Sequence, residues 1–303
     1  AIGENLAFVF LPFILYFLIK LSKEYSHLFI GLGSVSLALL FLSHNAISLM
    51  FIPLILLYII YLILNSKEKK KLFYRVAFLV LLAFGLSSFF GIPAFFEGKY
   101  TLRDIVTVNE YISRFVKFED LLYGSWNYGI TGQFSVQAGI INWLVVIFSI
   151  PLSIVLFGRK NKLWILTTVL LIIFFKALFL MHDSSKIIWE NLTILQKFQF
   201  PWRFLSITVF ATSVLGALLI FQINKGYKLL AIFILVGLAL FLNKDYWHAK
   251  AYLLKPESFY TDIYNSTTDT GESSPIWSVR FMEKRPDAPI ELEEGEGSIE
   301  KIS

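Results

Sequence analysis

The sequence predicts an all-α polytopic membrane bundle of about eight transmembrane helices, followed by the start of a small β-rich extracytoplasmic C-terminal domain. Three observations predict it. Of the 303 residues, 56% are hydrophobic and only 16% are charged, whereas an ordinary soluble domain carries roughly a quarter charged residues. Eight stretches are apolar over lengths near the roughly 20 residues that a span needs. The loops between those stretches alternate in charge. The same composition excludes a disordered chain, a collagen and a disulfide scaffold. With no cysteine in the chain, thiolate nucleophiles, CxxC redox chemistry and cysteine-ligated zinc are excluded as well.

The expected spans are residues 5–22, 28–43, 46–65, 72–96, 139–157, 163–182, 204–222 and 229–243. Pro12, Pro53 and Pro151 fall inside them and predict kinks, because neighbouring helices can satisfy the carbonyls that proline frees. Lys20, Lys23, Lys67, Lys69, Lys70, Lys71, Arg75, Arg159, Lys160, Lys162, Lys225 and Lys228 all fall on one set of alternate loops, with only Glu24 and Glu68 as acids there. Basic loops stay cytoplasmic, so residue 1 and everything after residue 243 are expected outside.

The expected division is a transmembrane domain over 1–243, with outer loops 97–138 and 183–203, and an extracytoplasmic tail over 244–303. The tail holds 7 Lys+Arg against 12 Asp+Glu, the rest of the chain 20 against 10. The basic pI therefore averages two unlike parts and does not point to nucleic acid. Asn265 to Gly271 is turn-rich, and 275–281 reads as a strand. In the first outer loop Tyr111, Phe115, Phe118 and Leu122 form a helix-period stripe. It predicts a helix lying on the membrane surface or packed on the protein's own outer face. The start at Ala1 and the acidic run ending at Glu296 read as the bounds of a segment of a longer protein.

Candidate site residues are all expected outside or near the outer boundary. Trp202 and Arg203 follow Pro201 where the second outer loop enters the seventh span. Arginine there can hold a phosphate bidentately or act as an interfacial anchor. Lys176 lies inside the sixth span, where a charge is costly and points to function, although its stem can also snorkel outward. His182 and Asp183 close that span. His44, in the turn between spans two and three, is a candidate proton carrier or a helix cap. Glu97, Glu110 and Asp183 are candidate general bases among eight outer carboxylates that precede the tail, and nothing in their spacing selects one. Trp126 and Tyr128 are candidate stacking residues. The histidines show no metal-ligand spacing, and no motif points to a cofactor.

Several stretches in order resemble one family: Gly3-Glu4-Asn5-Leu6-Ala7, Leu42-Ser43-His44-Asn45, Trp126-Asn127-Tyr128-Gly129, Ile188-Trp189-Glu190, Gln199-Phe200-Pro201-Trp202-Arg203 and Pro275-Ile276-Trp277. The chain resembles the bacterial membrane family labelled 6-pyruvoyl-tetrahydropterin synthase-related. That family is similar in architecture to YfhO-like proteins and C-type glycosyltransferases. The label does not imply pterin synthase activity, which belongs to a small soluble zinc protein. The resemblance implies transfer of a sugar from a polyprenyl-phosphate donor at the extracytoplasmic face of the plasma membrane. The principal catalytic acid would precede this segment. Arg203 and Lys176 would neutralise the phosphate, while Trp202, Trp126 and Tyr128 would stack on sugar or isoprenoid. The implied partners are the lipid bilayer, the polyprenyl-phosphate-linked sugar and other envelope proteins. The alternatives are a non-enzymatic envelope scaffold and a carrier of lipid-linked substrates.

Overall fold

A computed structural model describes residues 2–124, 136–247, 254–258, 274–277 and 297. The helices in chain order are α1 (Ile2–Lys23), α2 (His27–Ser43), α3 (Asn45–Asn65), α4 (Lys69–Glu97), α5 (Arg103–Val106), α6 (Phe118–Leu122), α7 (Ile140–Gly158), α8 (Leu163–Met181), α9 (Lys186–Asn191), α10 (Thr193–Gln196), α11 (Leu205–Gln222) and α12 (Lys228–Leu242). Short 3-10 turns sit between several of them, including Glu110–Arg114, Asp183–Ser185 and Pro201–Phe204.

Each expected span coincides with one helix, to within a few residues at either end. Seven helices among the described residues are long and apolar enough to cross a membrane. The eighth, α2, has 17 residues and reaches about 26 Å at 1.5 Å per residue, short of the ~30 Å hydrocarbon core. Pro12, Pro53 and Pro151 lie within α1, α3 and α7, and the helices continue through them.

The chain divides into two compact units. The first comprises Ala1–Ile92 and Asn109–Lys250, the second Pro93–Val108 and Ala251–Ser303.

In the first unit the helices bury narrow stripes and expose broad apolar faces. Along α1 the buried residues include Ala7, Leu11, Ile14, Leu18 and Leu21; along α4 they are Leu72, Val76, Leu79, Ala83 and Ser87. Both sets follow the i, i+4, i+7 spacing of one helix face. Elsewhere on α4 Leu81 and Phe84 are exposed, as are Phe148 and Ile154 on α7 and Phe233 on α12, the reverse of a water-facing surface. No residue of α12 is buried.

Lipid tails are as apolar as leucine, so helices in a bilayer associate through close packing and hydrogen bonds. The buried polar residues fit that rule. Ser34 donates to its own helix at Ile30 O (2.8 Å) and across to Leu79 O on α4 (3.0 Å). A Cβ at Gly33 would meet Leu79 Cδ1 at 2.6 Å, so a larger residue there would have to displace the Leu79 side chain. Ser153 and Thr168 link α7 to α8 at 2.7 Å, and Thr212 of α11 donates to Asn142 Oδ1 of α7 at 2.8 Å. Phe51 of α3 packs edge-on against Phe210 of α11, at 5.5 Å between centroids.

The surface-helix expectation for the first outer loop is corrected. Residues 110–114 form a 3-10 turn, Phe115 and Lys117 are extended, and only Phe118–Leu122 is α-helical. Leu121 is buried, while Phe118 and Leu122 are exposed, so the expected stripe is not one face. A tertiary contact overrides the local period: the Val116 N–H donates to Met181 O at the end of α8 (2.9 Å). Tyr111 and Phe115 do pack inward, on Trp189.

In the second unit, Thr101 and Pro275 form an isolated antiparallel bridge, flanked by Ile276 N–H to Tyr100 O (3.0 Å) and Leu102 N–H to Ser274 O (2.9 Å). Trp277 stacks on Tyr100 at 5.7 Å. Among the described residues there is no strand beyond this bridge. Most of the expected strand over 275–281 lies outside the described residues.

Candidate functional site

The lysine-rich loops and a buried polar cluster occupy opposite ends of the helices. At the basic end, Arg75 at the start of α4 donates to Leu21 O near the end of α1 (3.4 Å) and stacks over Tyr25 (5.0 Å). Glu68 pairs with Lys71 at 2.6 Å and with Arg75 at 3.7 Å.

At the other end, α1 begins, α2 turns into α3, and the 3-10 turn Pro201–Phe204 leads into α11. Three charged or titratable side chains converge there. Arg203 Nε donates to Glu4 Oε1 at 3.3 Å, and His44 Nε2 lies 3.5 Å from the same oxygen. Arg203 Nη1 also donates to Phe198 O (2.5 Å) and Gln199 Oε1 (3.1 Å). The Arg203 side chain is 14% exposed, His44 23% and Glu4 33%, so the pair is largely withdrawn from water while Glu4 keeps an open side.

Local structure builds each member. His44 is extended, at φ −163°, and caps α3: its Nδ1 accepts the Ile47 N–H at 3.3 Å. With Nδ1 accepting, the ring proton of the neutral imidazole sits on Nε2, facing Glu4. Gly3 lets α1 come close, since a Cβ there would overlap the Ser43 carbonyl oxygen. Gln199 is left-handed at φ 59°, which reverses the chain before Pro201. Proline at the first position of the turn forfeits no hydrogen bond. The buried Gln199 side chain then accepts from Arg203 and holds it back toward the helices.

An aromatic layer lies beside this cluster. Phe200 and Trp202 stack at 4.7 Å with their planes 4° apart, and Arg203 sits over Phe200 at 4.8 Å. Arg114 is nearly equidistant from the two rings, at 5.8 Å and 5.9 Å, and so sits beside the pair. Its nearest carboxylate is Glu110, at 3.9 Å. Underneath is Trp189, fully buried, with its indole N–H donated to Leu180 O at 3.0 Å. Tyr111 stacks on it at 5.4 Å, and Phe204 meets it edge-on at 6.1 Å. Burial, and secondarily the Glu190 carboxylate, push the Tyr111 hydroxyl above the usual phenol range.

Of the residues singled out from sequence, Arg203, Trp202, His44 and Glu110 are gathered in this region. His182 and Asp183 form a local pair at 2.8 Å, with His182 accepting the Ser184 N–H to cap the turn Asp183–Ser185. Lys176 is exposed on α8, on the face that also exposes Ile172, Phe175 and Phe179, and is not part of the Glu4 cluster. Glu97, the last residue of α4, is exposed. Trp126 and Tyr128 lie outside the described residues. Sequence reading did not single out Glu4 or Arg114. Glu4 immediately precedes the first expected span, at the boundary where His44 and Arg203 are also expected, but its pairing with Arg203 depends on helix packing. Among the described residues, no group of three His, Cys, Asp or Glu side chains is placed to hold a metal ion.

The fold defines a class: a polytopic all-α bundle of the integral membrane type. Comparison with family models, with curated proteins and with solved structures yields no match.

Proposed function

We propose that the chain is the membrane part of an envelope protein that transfers a sugar from a polyprenyl-phosphate donor at the extracytoplasmic face. In this reading it follows the C-type glycosyltransferase plan implied by its resemblance to the 6-pyruvoyl-tetrahydropterin synthase-related family. Positive-inside orientation puts the lysine-rich loops in the cytoplasm. The Glu4 cluster and the acidic tail, read as the start of a β-rich domain, are then outside.

The observation that supports this reading is the meeting of Arg203, Glu4 and His44 beside an aromatic layer at the rim of an apolar bundle. A polyprenyl-phosphate sugar has the matching construction, with an anion at headgroup depth on an apolar chain. In the proposed reaction an acceptor hydroxyl attacks the anomeric carbon and the bond from that carbon to the phosphate oxygen breaks. Polyprenyl phosphate leaves with the bonding electrons. Arg203 would offset the charge developing on it. In that plan the acceptor's proton goes to a carboxylate preceding this segment; within it, Glu4, 3.3 Å from Arg203 and 3.5 Å from His44 Nε2, is the carboxylate beside the phosphate position.

A second reading has its own support. Arg203 donates to Glu4, Phe198 and Gln199, so it also serves as a clasp joining α1 to α11, as a non-enzymatic scaffold or carrier would need. Binding of polyprenyl phosphate in nanodiscs separates the two. Loss of a charge-assisted hydrogen bond should weaken binding by about ten- to a hundredfold in Arg203→Ala. Arg203→Lys should recover part of that, since lysine offers a point charge in place of the planar fork. Glu4→Gln should retain or raise affinity. Unchanged affinity in a folded Arg203→Ala, with lowered thermal stability in both Arg203→Ala and Glu4→Gln, would leave only the clasp.

A further inference from the structure

We infer that Glu110 and Arg114 form a subsite for the sugar hydroxyls, next to the phosphate position at Arg203; this rests on the reading above. An arginine and a carboxylate that pair for stability close into a fork, with two N–H···O contacts near 2.8 Å. This pair is left open. Its closest approach is 3.9 Å, and Glu110 Oε2 and Arg114 Nε are buried without a hydrogen-bond partner. The remainder of each side chain is accessible, Glu110 at 28% and Arg114 at 36%.

A hydroxyl oxygen about 2.8 Å from both groups fits across the 3.9 Å gap. It donates to the carboxylate and accepts from the guanidinium. A neighbouring hydroxyl of the same ring can use the accessible part of either side chain, and a small shift of the pair would bring the buried Glu110 Oε2 and Arg114 Nε into reach. One fixed donor beside one fixed acceptor matches a neutral vicinal diol. A phosphate would be attracted by Arg114 and repelled by Glu110. The Phe200–Trp202 pair supplies apolar ring surface alongside Arg114 for the C–H face of a sugar.

Position joins this subsite to the phosphate group. The guanidinium carbons of Arg114 and Arg203 both lie within 6 Å of the Phe200 ring centre. A hexose and the phosphate on its anomeric carbon span a similar reach, so one glycosyl phosphate can engage both arginines. Sites built to hydrogen-bond a substrate hydroxyl discriminate strongly against an analogue lacking it, because their buried polar groups are then left unpaired.

The test measures two lipids of equal chain length in nanodiscs, polyprenyl phosphate and polyprenyl phosphoglucose, on the full chain. The wild type should bind the glycosylated lipid about tenfold more tightly than the bare phosphate, the worth of a charge-assisted hydrogen bond. Glu110→Gln and Arg114→Lys should bring that ratio to about one, with affinity for bare polyprenyl phosphate unchanged. Arg203→Ala should weaken both lipids alike. A ratio of about one in the wild type, or a ratio that survives both conservative variants, overturns the sugar subsite. If Arg203→Ala weakens neither lipid, the phosphate reading fails instead. Arg114→Gln keeps the side chain's polarity and serves where Arg114→Lys does not fold.

Discussion

The two ends of the bundle solve the same problem differently. At the basic end, charges stay in water: the Lys71–Glu68 pair is 67% and 52% exposed. At the opposite end, Arg203 and Glu4 are 14% and 33% exposed, and two loops fold over a fully buried Trp189. Solvated charges cost little and can be many, which suits orientation. Withdrawn charges must find partners and give a fixed geometry. A membrane protein that needed only to sit in the bilayer would have no use for the second arrangement. That difference is the ground on which the proposed site is placed at the Glu4 end.

The comparison breaks most simply at orientation, where the outcome is all or none. The chain has no native cysteine, so Lys69→Cys, Trp126→Cys and Trp277→Cys each report a single site. An impermeant thiol reagent on intact cells should label positions 126 and 277 and spare 69. Labelling of position 69 would reverse the ends.

The largest energetic effect should come from Trp189. Its side chain is fully buried between Tyr111, Phe115 and Phe204. Trp189→Ala should destabilise the fold by about 3–5 kcal/mol, and Trp189→Phe by about 1 kcal/mol, for the lost hydrogen bond to Leu180 O. Unfolding in detergent measures both. A loss below about 1 kcal/mol for the alanine variant would mean that the loops do not stabilise this end.

How much of this was legible in the sequence follows from what is local and what is not. The helices were legible because an apolar run with a lysine-marked end is written within some twenty consecutive residues. Pro201 at the start of a helical turn is equally local. The partner of Arg203 was not legible, because Glu4 lies at the far end of the first unit's chain and only helix packing brings them together. The broken helix at 115–117 failed for a similar reason: α8 offered Val116 a backbone acceptor that no periodicity encodes. Likewise, the place of Arg114 beside Phe200 and Trp202 depends on two loops meeting.

The Glu4–Arg203 contact sharpens the comparison at intermediate size. Exposed pairs contribute about 0.2–1 kcal/mol, and breaking a fully buried one costs about 3–5 kcal/mol. A pair with one member largely buried and the other a third exposed belongs between them. A double-mutant cycle with Glu4→Gln and Arg203→Met should give a coupling of about 1–2 kcal/mol. A coupling near zero would make the pair incidental to stability and release Arg203 from the clasp role.

The smallest effect belongs to the basic end. Lys71 donates a hydrogen bond to Glu68, and this, followed by the lysine charge, holds the Glu68 carboxyl below its ordinary value of 4.5. A carboxyl whose folded value is lowered adds stability above its unfolded value and loses it as pH falls through the folded one. The contribution is therefore present at neutral pH and fades below about pH 4.5. In Lys71→Ala the Glu68 titration should move up toward 4.5, and the melting temperature should fall slightly less on acidification than in the wild type. Because Glu68 and Lys71 stay in water, the change at neutral pH should be smaller than that of either single variant at Glu4 or Arg203. If Lys71→Ala destabilised the protein as much as Arg203→Met, the lysine-rich loops would be structural and the contrast between the two ends would not hold. An equal titration of Glu68 in both proteins would remove the hydrogen bond as the cause of the shift.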